Sequence, residues 1–144
     1  MKGWALVAAL ALGLGLLTAC GGGGGSNPDE AEIRQVATAT FDDVKAERWG
    51  DLYDLMSSDF QARCTRDDFI TQAEAAITPE QRQALASLKL VAVENIRIGE
   101  NTAVASVVTE DGARSTTARF FNKEEGRWRA APDPSTTGCN TEGD

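Results

Sequence analysis

Three cysteines are the residues of this chain best suited to covalent or metal chemistry, and the chain contains no histidine. Cys20, Cys64 and Cys139 stand too far apart for the paired spacing of a zinc site. Without histidine there is no Ser-His or Cys-His nucleophile. The acidic pairs Asp42-Asp43 and Asp67-Asp68 lack the spacing of a calcium loop. The sequence therefore predicts no metal, no cofactor and no catalytic residue.

The segment before Cys20 is typical of an export signal. Met1-Lys2 supplies one positive charge, and Trp4 to Leu17 supplies fourteen residues without a charge. A membrane-spanning helix needs about 20 apolar residues, which is more than this segment offers. The residues Leu17-Thr18-Ala19-Cys20 resemble the lipobox of bacterial lipoprotein precursors. That resemblance implies cleavage just before Cys20 and a diacylated thiol, and the alternative is an ordinary secretory signal with a chance cysteine.

The residues after Cys20 suit a tether between a lipid anchor and a folded domain. Gly21 to Ser26 contains five glycines and a serine, and such a coil reaches about 13 Å on average. We therefore expect residues 1–19 to be a signal peptide, residues 20–26 a lipidated tether, and residues 27–144 one domain with an irregular C-terminal tail. The expected location is a bacterial cell membrane or outer membrane, with the domain outside the cytoplasm.

The charge balance of the chain excludes one class of partner. The chain carries 14 basic and 22 acidic residues, a net charge of −8, and removal of residues 1–19 takes away Lys2 and no acid. Such an acidic chain repels phosphate backbones, so nucleic acid is not expected as a partner. The same charge disfavours a domain that lies flat on anionic lipid.

Start signals and apolar spacing divide the first half of the domain into helices. Asn27 as a cap, with Pro28 at the first helical position, begins one helix, and Thr65 and Thr78 cap two more. A shorter and more aromatic segment runs from Trp49 to Phe60. The first helix has one apolar face, made of Ile33, Val36, Ala37, Thr40, Phe41 and Val44.

Alternating sequence rich in β-branched residues fills the second half. We predict strands at about 90–98, 102–109, 114–122 and 127–130, with turn residues such as Asp111-Gly112 at the joints. Strands joined by turns this short are antiparallel. Helices followed by a curved four-stranded antiparallel meander predict an α+β domain whose helices cover one face of the sheet.

This order of elements resembles the nuclear-transport-factor-2-like (NTF2-like) superfamily, which includes small bacterial lipoproteins. The first helix, the segment from Arg48 to Phe69 and the meander carry the resemblance, over about Asp29 to Ala131. It implies a sheet that wraps the first helix into a cone with a pocket at its open end. Superfamily members use the pocket for isomerisation, cyclisation, dehydration or binding. The carboxylate, tyrosine and acid donors of the isomerase-like members align with no residue of this chain.

Six residues are candidates for the pocket of such a cone: Trp49, Tyr53, Phe60, Phe69, Glu94 and Trp128. The aromatic rings are large enough to line a cavity or to fill it as core, and we expect Tyr53 in the core with its hydroxyl at the rim. Glu94 points inward if it shares a face with Leu90 and Ile98. That placement would suit an acid–base role, but we expect a structural or solvent-facing Glu94 instead.

Two classes of function fit these features. One is a binding module at the cell envelope, whose partner is a small apolar ligand, an envelope protein or a second copy in a homodimer. The other is a small pocket enzyme of isomerase, cyclase or dehydratase type. The lack of histidine, the commonest acid–base catalyst near neutral pH, favours binding.

Cys64 and Cys139 remain as a pair once Cys20 is lipidated. An exported domain meets an oxidising environment, so we predict a disulfide that fastens the tail to the helical half. Two free thiols are the alternative.

Replacement of Cys20 by alanine tests the anchor. We expect Cys20→Ala to abolish the incorporation of radiolabelled palmitate and to leave an unprocessed precursor, because the acylated thiol is gone. The matched control is the double variant Cys64→Ala/Cys139→Ala, which should label as the wild type does. Full labelling of Cys20→Ala would contradict the anchor.

Overall fold

The computed structural model describes residues 27–133 and Cys139. The predicted signal peptide (1–19), the lipidated tether (20–26) and the rest of the predicted tail lie outside the described residues. Over residues 27–133, no helix is both long enough and apolar enough to cross a bilayer. The elements are α1 Pro28–Lys45, α2 Trp49–Leu55, α3 Ser58–Arg63, α4 Arg66–Ala76, α5 Pro79–Ser87, β1 Lys89–Ile98, β2 Thr102–Glu110, β3 Arg114–Glu124 and β4 Arg127–Ala131.

The predicted helix starts are confirmed by their caps. The Asn27 side chain accepts a hydrogen bond from the backbone N–H of Asp29 at 3.1 Å and begins α1. Thr65 caps α4 in the same way, and Thr78 forms a full capping box with Gln81 at the start of α5. Each such cap stabilises its helix by about 1 kcal/mol, because it satisfies a backbone donor that has no partner within the helix.

The aromatic segment that we predicted as one unit is two short helices. Met56, between α2 and α3, is extended and forms a parallel bridge with Ala130 of β4. The backbone N–H of Ser57 donates to the Ala130 carbonyl at 2.7 Å. The chain therefore leaves the helix for two residues to hydrogen-bond with the sheet, and this contact fixes α2 and α3 against β4.

The four strands form one antiparallel sheet in the order β1-β2-β3-β4, as predicted for a meander. The turn between β3 and β4 has two residues, Glu125 and Gly126, and both have positive φ, at 52° and 79°. Two positive φ values are what a two-residue hairpin turn requires, and glycine supplies one without strain. The predicted α+β fold class is confirmed.

One face of the sheet packs against α1, and we call it the inner face. Ala103, Ala105 and Val107 of β2 lie on it and are almost fully buried. They share a core with Ile33 of α1, which is 0% exposed, and with Phe121 of β3, which is 2% exposed. Burial of a large apolar side chain stabilises a fold by about 1.5 to 3 kcal/mol, so this contact is a main source of stability.

The β1 strand does not keep one regular alternation along its length, so Leu90, Glu94 and Ile98 do not all lie on one face. Leu90, Val93 and Ile98 pair with inner-face residues of β2 or pack on the core, and two irregularities interrupt the pairing between them. Each bulge inserts a residue and reverses the alternation. Asn95, at the second bulge, has a φ of +53°. Glu94 pairs with Ser106 on the outer face and is exposed, so the solvent-facing placement is confirmed and the inward placement is wrong.

β4 is much shorter than β3. It pairs only with Phe120 to Glu124, so the segment 114–119 of β3 is paired with β2 on one side alone among the described residues. Beyond Ala131, Pro132 has no backbone N–H with which to continue the ladder. We call the unpaired side of residues 114–119 the open edge of β3.

A carboxylate joins the start of α1 to the sheet. Oδ1 of Asp29 accepts hydrogen bonds from Nζ of Lys123 at 2.9 Å and from Nε1 of Trp128 at 3.0 Å. The Lys123 ammonium also lies 5.6 Å from the centre of the Trp128 ring. The hydrogen bond from Lys123, and after it that from Trp128, holds the pKa of Asp29 below its ordinary value.

Substitution of Asp29 tests this junction through its pH dependence. Because its folded-state pKa is lowered, the carboxylate stabilises the fold fully above the ordinary pKa of about 3.9 and loses that effect as the pH falls through the folded value. We expect Asp29→Asn to lower the free energy of unfolding at pH 7, and the difference from wild type to shrink below about pH 4. Urea denaturation at a series of pH values measures both.

The matched control for this experiment is Asp111→Asn. Asp111 is exposed and precedes Gly112 in the β2–β3 turn, where Asn-Gly is as favourable as Asp-Gly. It should change stability little at either pH. A loss in Asp29→Asn that does not vary with pH would contradict the charged junction.

Candidate functional site

A cavity of about 520 Å³ lies between the second half of α1 and the part of the inner face formed by β2 and β3. All five helices contribute to its wall, together with three of the strands. Its lining is mainly apolar, and includes Ala37, Thr40, Phe41, Val44, Leu52, Met56, Phe60, Phe69, Leu85, Leu88, Val107, Thr109, Thr117, Phe121, Ala130 and Pro132.

The cavity follows from the length of α1. Ile33, Val36 and Ala37, in the first half of its apolar face, are buried against the sheet. The same face continues through Phe41 and Val44, which are only half-buried and line the cavity. The sequence identified this face correctly. The sequence did not show that the second half of this face lines a cavity, because a helix face that packs on a core and one that lines a cavity have the same apolar spacing.

Three aromatic side chains from α2, α3 and α4 cluster next to the cavity. The ring centres of Tyr53, Phe60 and Phe69 lie 5.6 to 6.3 Å apart, and Phe60 meets Phe69 edge to face. These separations are within the favourable range for aromatic pairs. Phe60 and Phe69 also line the cavity, whereas Tyr53 does not. We call these three residues the aromatic triad.

A disulfide lies behind the aromatic triad. Cys64 and Cys139 are bonded as predicted, with their Cα atoms 5.2 Å apart, and Cys64 is 1% exposed. The two cysteines are 75 residues apart in sequence. For a loop of that length the chain-entropy model gives a stabilisation of about 4 kcal/mol. The bond therefore holds residue 139 of the tail against the helical half.

The remaining sequence candidates lie away from the cavity wall. Trp49 is buried, and Trp128 is 2% exposed in the core beneath α1. Tyr53 is buried, and its hydroxyl donates to the backbone carbonyl of Cys64 at 2.7 Å, so the expectation of a hydroxyl at the rim is wrong. Glu94, on the outer face, is not a lining residue. Of the six candidates, only Phe60 and Phe69 form the wall.

The sequence analysis missed two cations at the cavity, Lys45 and Arg119. Arg119 pairs with Ala105 across the β2–β3 ladder, so it lies on the inner face, two residues from Phe121. Its side chain is exposed. Nζ of Lys45 donates to the carbonyl of Leu88 at 2.7 Å. Counting back in twos from Phe121 along β3 would have found Arg119 and Thr117.

A smaller cavity of about 360 Å³ shares five lining residues with the larger one: Phe120, Phe121, Ala131, Pro132 and Asp133. Asp59 and Arg63 line it and bring charges of opposite sign. The larger cavity is the better candidate, because its wall combines a large apolar surface with few polar groups. In the part of the chain that the structure describes, no group of three metal-ligating side chains is present.

A comparison with solved structures finds a crystal structure from Campylobacter jejuni at 2.00 Å resolution, provisionally named an NTF2-like transpeptidase. It is 19% identical to this chain, and the match covers 75% of this chain and 100% of that one, with a TM-score of 0.39. This TM-score is too low to support a conclusion from the similarity, so the fold class is assigned from the helices and the sheet described above. No protein-family model matches the sequence, and no curated protein matches it either.

Removal of the Tyr53 hydroxyl separates a structural role from a role in the cavity. Tyr53→Phe leaves the buried carbonyl of Cys64 without this donor, so we expect the free energy of unfolding to fall by about 1 kcal/mol. Urea denaturation of the oxidised protein measures the change. Thr38→Val is the control, since it removes an exposed hydroxyl that donates to the Arg34 carbonyl and should change stability little. Equal stability of Tyr53→Phe and wild type would contradict the structural role.

Proposed function

We propose that this chain is a lipid-anchored binding module of the bacterial cell envelope, and that its cavity holds a small apolar molecule. The observation that carries the proposal is the apolar cavity of about 520 Å³ between α1 and the sheet. Ligand pockets in proteins occupy about 300 to 1,000 Å³ and are lined mainly by aliphatic and aromatic side chains. The cavity meets both criteria.

The apolar wall also sets the expected affinity. A ligand that buries about 400 Å² of apolar surface gains about 10 kcal/mol at 25 cal/mol per Å². The loss of translational and rotational freedom removes 4 kcal/mol or more of this gain. The remainder corresponds to a dissociation constant in the micromolar range or weaker.

The residues on the wall favour binding over catalysis. Proton transfer needs an acid or base within hydrogen-bond reach of the reacting group. Of the described residues that line the cavity, Asp133 alone carries a carboxylate, and it follows the end of β4. Glu94 faces the other side of the sheet. The side chains that surround the cavity therefore supply area and shape more than acid–base groups.

The location proposed for the module is supported by the sequence before residue 27. The residues Leu17-Thr18-Ala19-Cys20 resemble a lipobox, and six residues separate Cys20 from Asn27. Fully extended, those six residues span only about 20 Å. A domain held this close to a bilayer meets apolar molecules where they concentrate, which suits a cavity that binds by apolar area.

Filling the cavity tests the proposed function. The probe is N-phenyl-1-naphthylamine, a neutral apolar fluorophore, titrated into the full chain in lipid nanodiscs with empty nanodiscs as background. We expect micromolar binding by the wild type. Val44→Trp should weaken that binding at least tenfold, because the indole occupies the space between α1 and the sheet.

The matched control is Val91→Trp, which places the same ring on a residue of β1 that is 41% exposed and does not line the cavity. It should bind the probe as the wild type does. Circular dichroism checks that both variants keep their helices and strands. No saturable binding to the wild type, or equal binding by Val44→Trp, would overturn the proposed function.

A further inference from the structure

Most of the cavity wall is apolar, but its charged groups are not balanced. Lys45 and Arg119 bring two positive charges, and Asp133 brings one negative charge. The wall therefore carries an excess of one positive charge, in a chain whose net charge is −8.

Arg119 is the more informative of the two cations. Arg119 pairs with Ala105, so it lies on the inner face in the same row as Thr117 and Phe121. Phe121, further along this row, is a core residue. Its side chain forms no hydrogen bond and no ion pair with any described residue, whereas Arg114, on the same strand, pairs with Glu110. Arg119 thus lines the cavity, and no described residue occupies the donors of its guanidinium.

The backbone beside Arg119 adds further donors and acceptors. It belongs to the open edge of β3, because β4 pairs only with residues from Phe120 onward. Thr117, with a hydroxyl, lies on the same row and also lines the cavity. The cavity wall therefore combines a cation and a hydroxyl from β3 with the aromatic rings of Phe60 and Phe69.

We propose that the ligand of this cavity is a small organic acid with an apolar body, whose oxyanion head binds Arg119 while its body lies against Phe60 and Phe69. A guanidinium presents two parallel N–H donors that match the two oxygens of such a head. This proposal rests on the proposed function, because it assigns a ligand class to the same cavity.

The size of the cavity decides between a free acid and a membrane phospholipid as the source of that head. A methylene occupies about the volume of one water molecule, roughly 30 Å³. A volume of 520 Å³ thus holds about seventeen groups of carbon size, fewer than the two acyl chains of a membrane phospholipid contain. A single-chain or ring-bearing acid therefore fits inside the cavity, whereas a phospholipid would leave part of its acyl chains outside.

Two fluorophores with one carbon skeleton test the charge preference. N-phenyl-1-naphthylamine is neutral, and 8-anilinonaphthalene-1-sulfonate is the same molecule with an anionic head. We titrate both into the full chain in phosphatidylcholine nanodiscs, with empty nanodiscs as background. We expect the wild type to bind the sulfonate about tenfold more tightly than the neutral probe, as a charge-assisted contact predicts.

Three variants assign the preference to a residue. Arg119→Gln should lose the preference for the sulfonate and keep its affinity for the neutral probe, which also shows that the cavity is still folded. Arg119→Lys should keep part of the preference, since it retains the charge and loses the fork of donors. Arg97→Gln is the control, because Arg97 is exposed, lies on the outer face opposite Val104, and should behave as the wild type does.

The outcomes separate this inference from the function on which it rests. If the neutral probe binds and the sulfonate binds no better, the organic-acid proposal is overturned while the cavity keeps its function. A preference that survives in Arg119→Gln would overturn the assignment to Arg119. If neither probe binds the wild type, the proposed function fails, and this inference fails with it.

Discussion

The contact between the first half of α1 and the inner face of the sheet determines where the rest of the molecule lies. Ile33 and Phe121 meet in this contact and are almost completely removed from solvent. The bonds from Lys123 and Trp128 to Asp29 fix the start of the helix above the β3–β4 hairpin. Because these contacts hold the start of α1, the helix has a fixed position on the sheet. The later helices pack around it.

The cavity is what this arrangement leaves unfilled. The second half of α1 extends over β2 and β3, and the side chains available to close the gap come from helices that are packed loosely. Neither α4 nor α5 contains a fully buried residue. Dense packing requires side chains that interdigitate from both sides. Phe69 of α4 and Leu85 of α5 line the cavity from one side only. These two helices therefore form part of the cavity wall and do not fill the cavity as core.

The features that the sequence predicted correctly are those encoded by neighbouring residues. Three helix starts are marked by a capping side chain at the start itself: Asn27, Thr65 and Thr78. The hairpin turn at Gly126 depends only on the φ angles of its own residues. The bulges that turn Glu94 outward are different, because they depend on how β1 meets β2. The aromatic segment likewise breaks at Met56 because β4 offers it a partner. Arg119 can be assigned to the cavity wall only once the inner face of the sheet is known. The site was therefore harder to predict from the sequence than the fold.

The open edge of β3 has a consequence for how these molecules behave at high concentration. A strand with unpaired N–H and C=O groups is a template for pairing with another chain, and proteins counter this with charged side chains and short edges. Here the exposed stretch is six residues long, and Arg114 and Arg119 stand at its two ends. Arginine at both ends of so short an edge therefore disfavours aggregation of this protein through its own sheet.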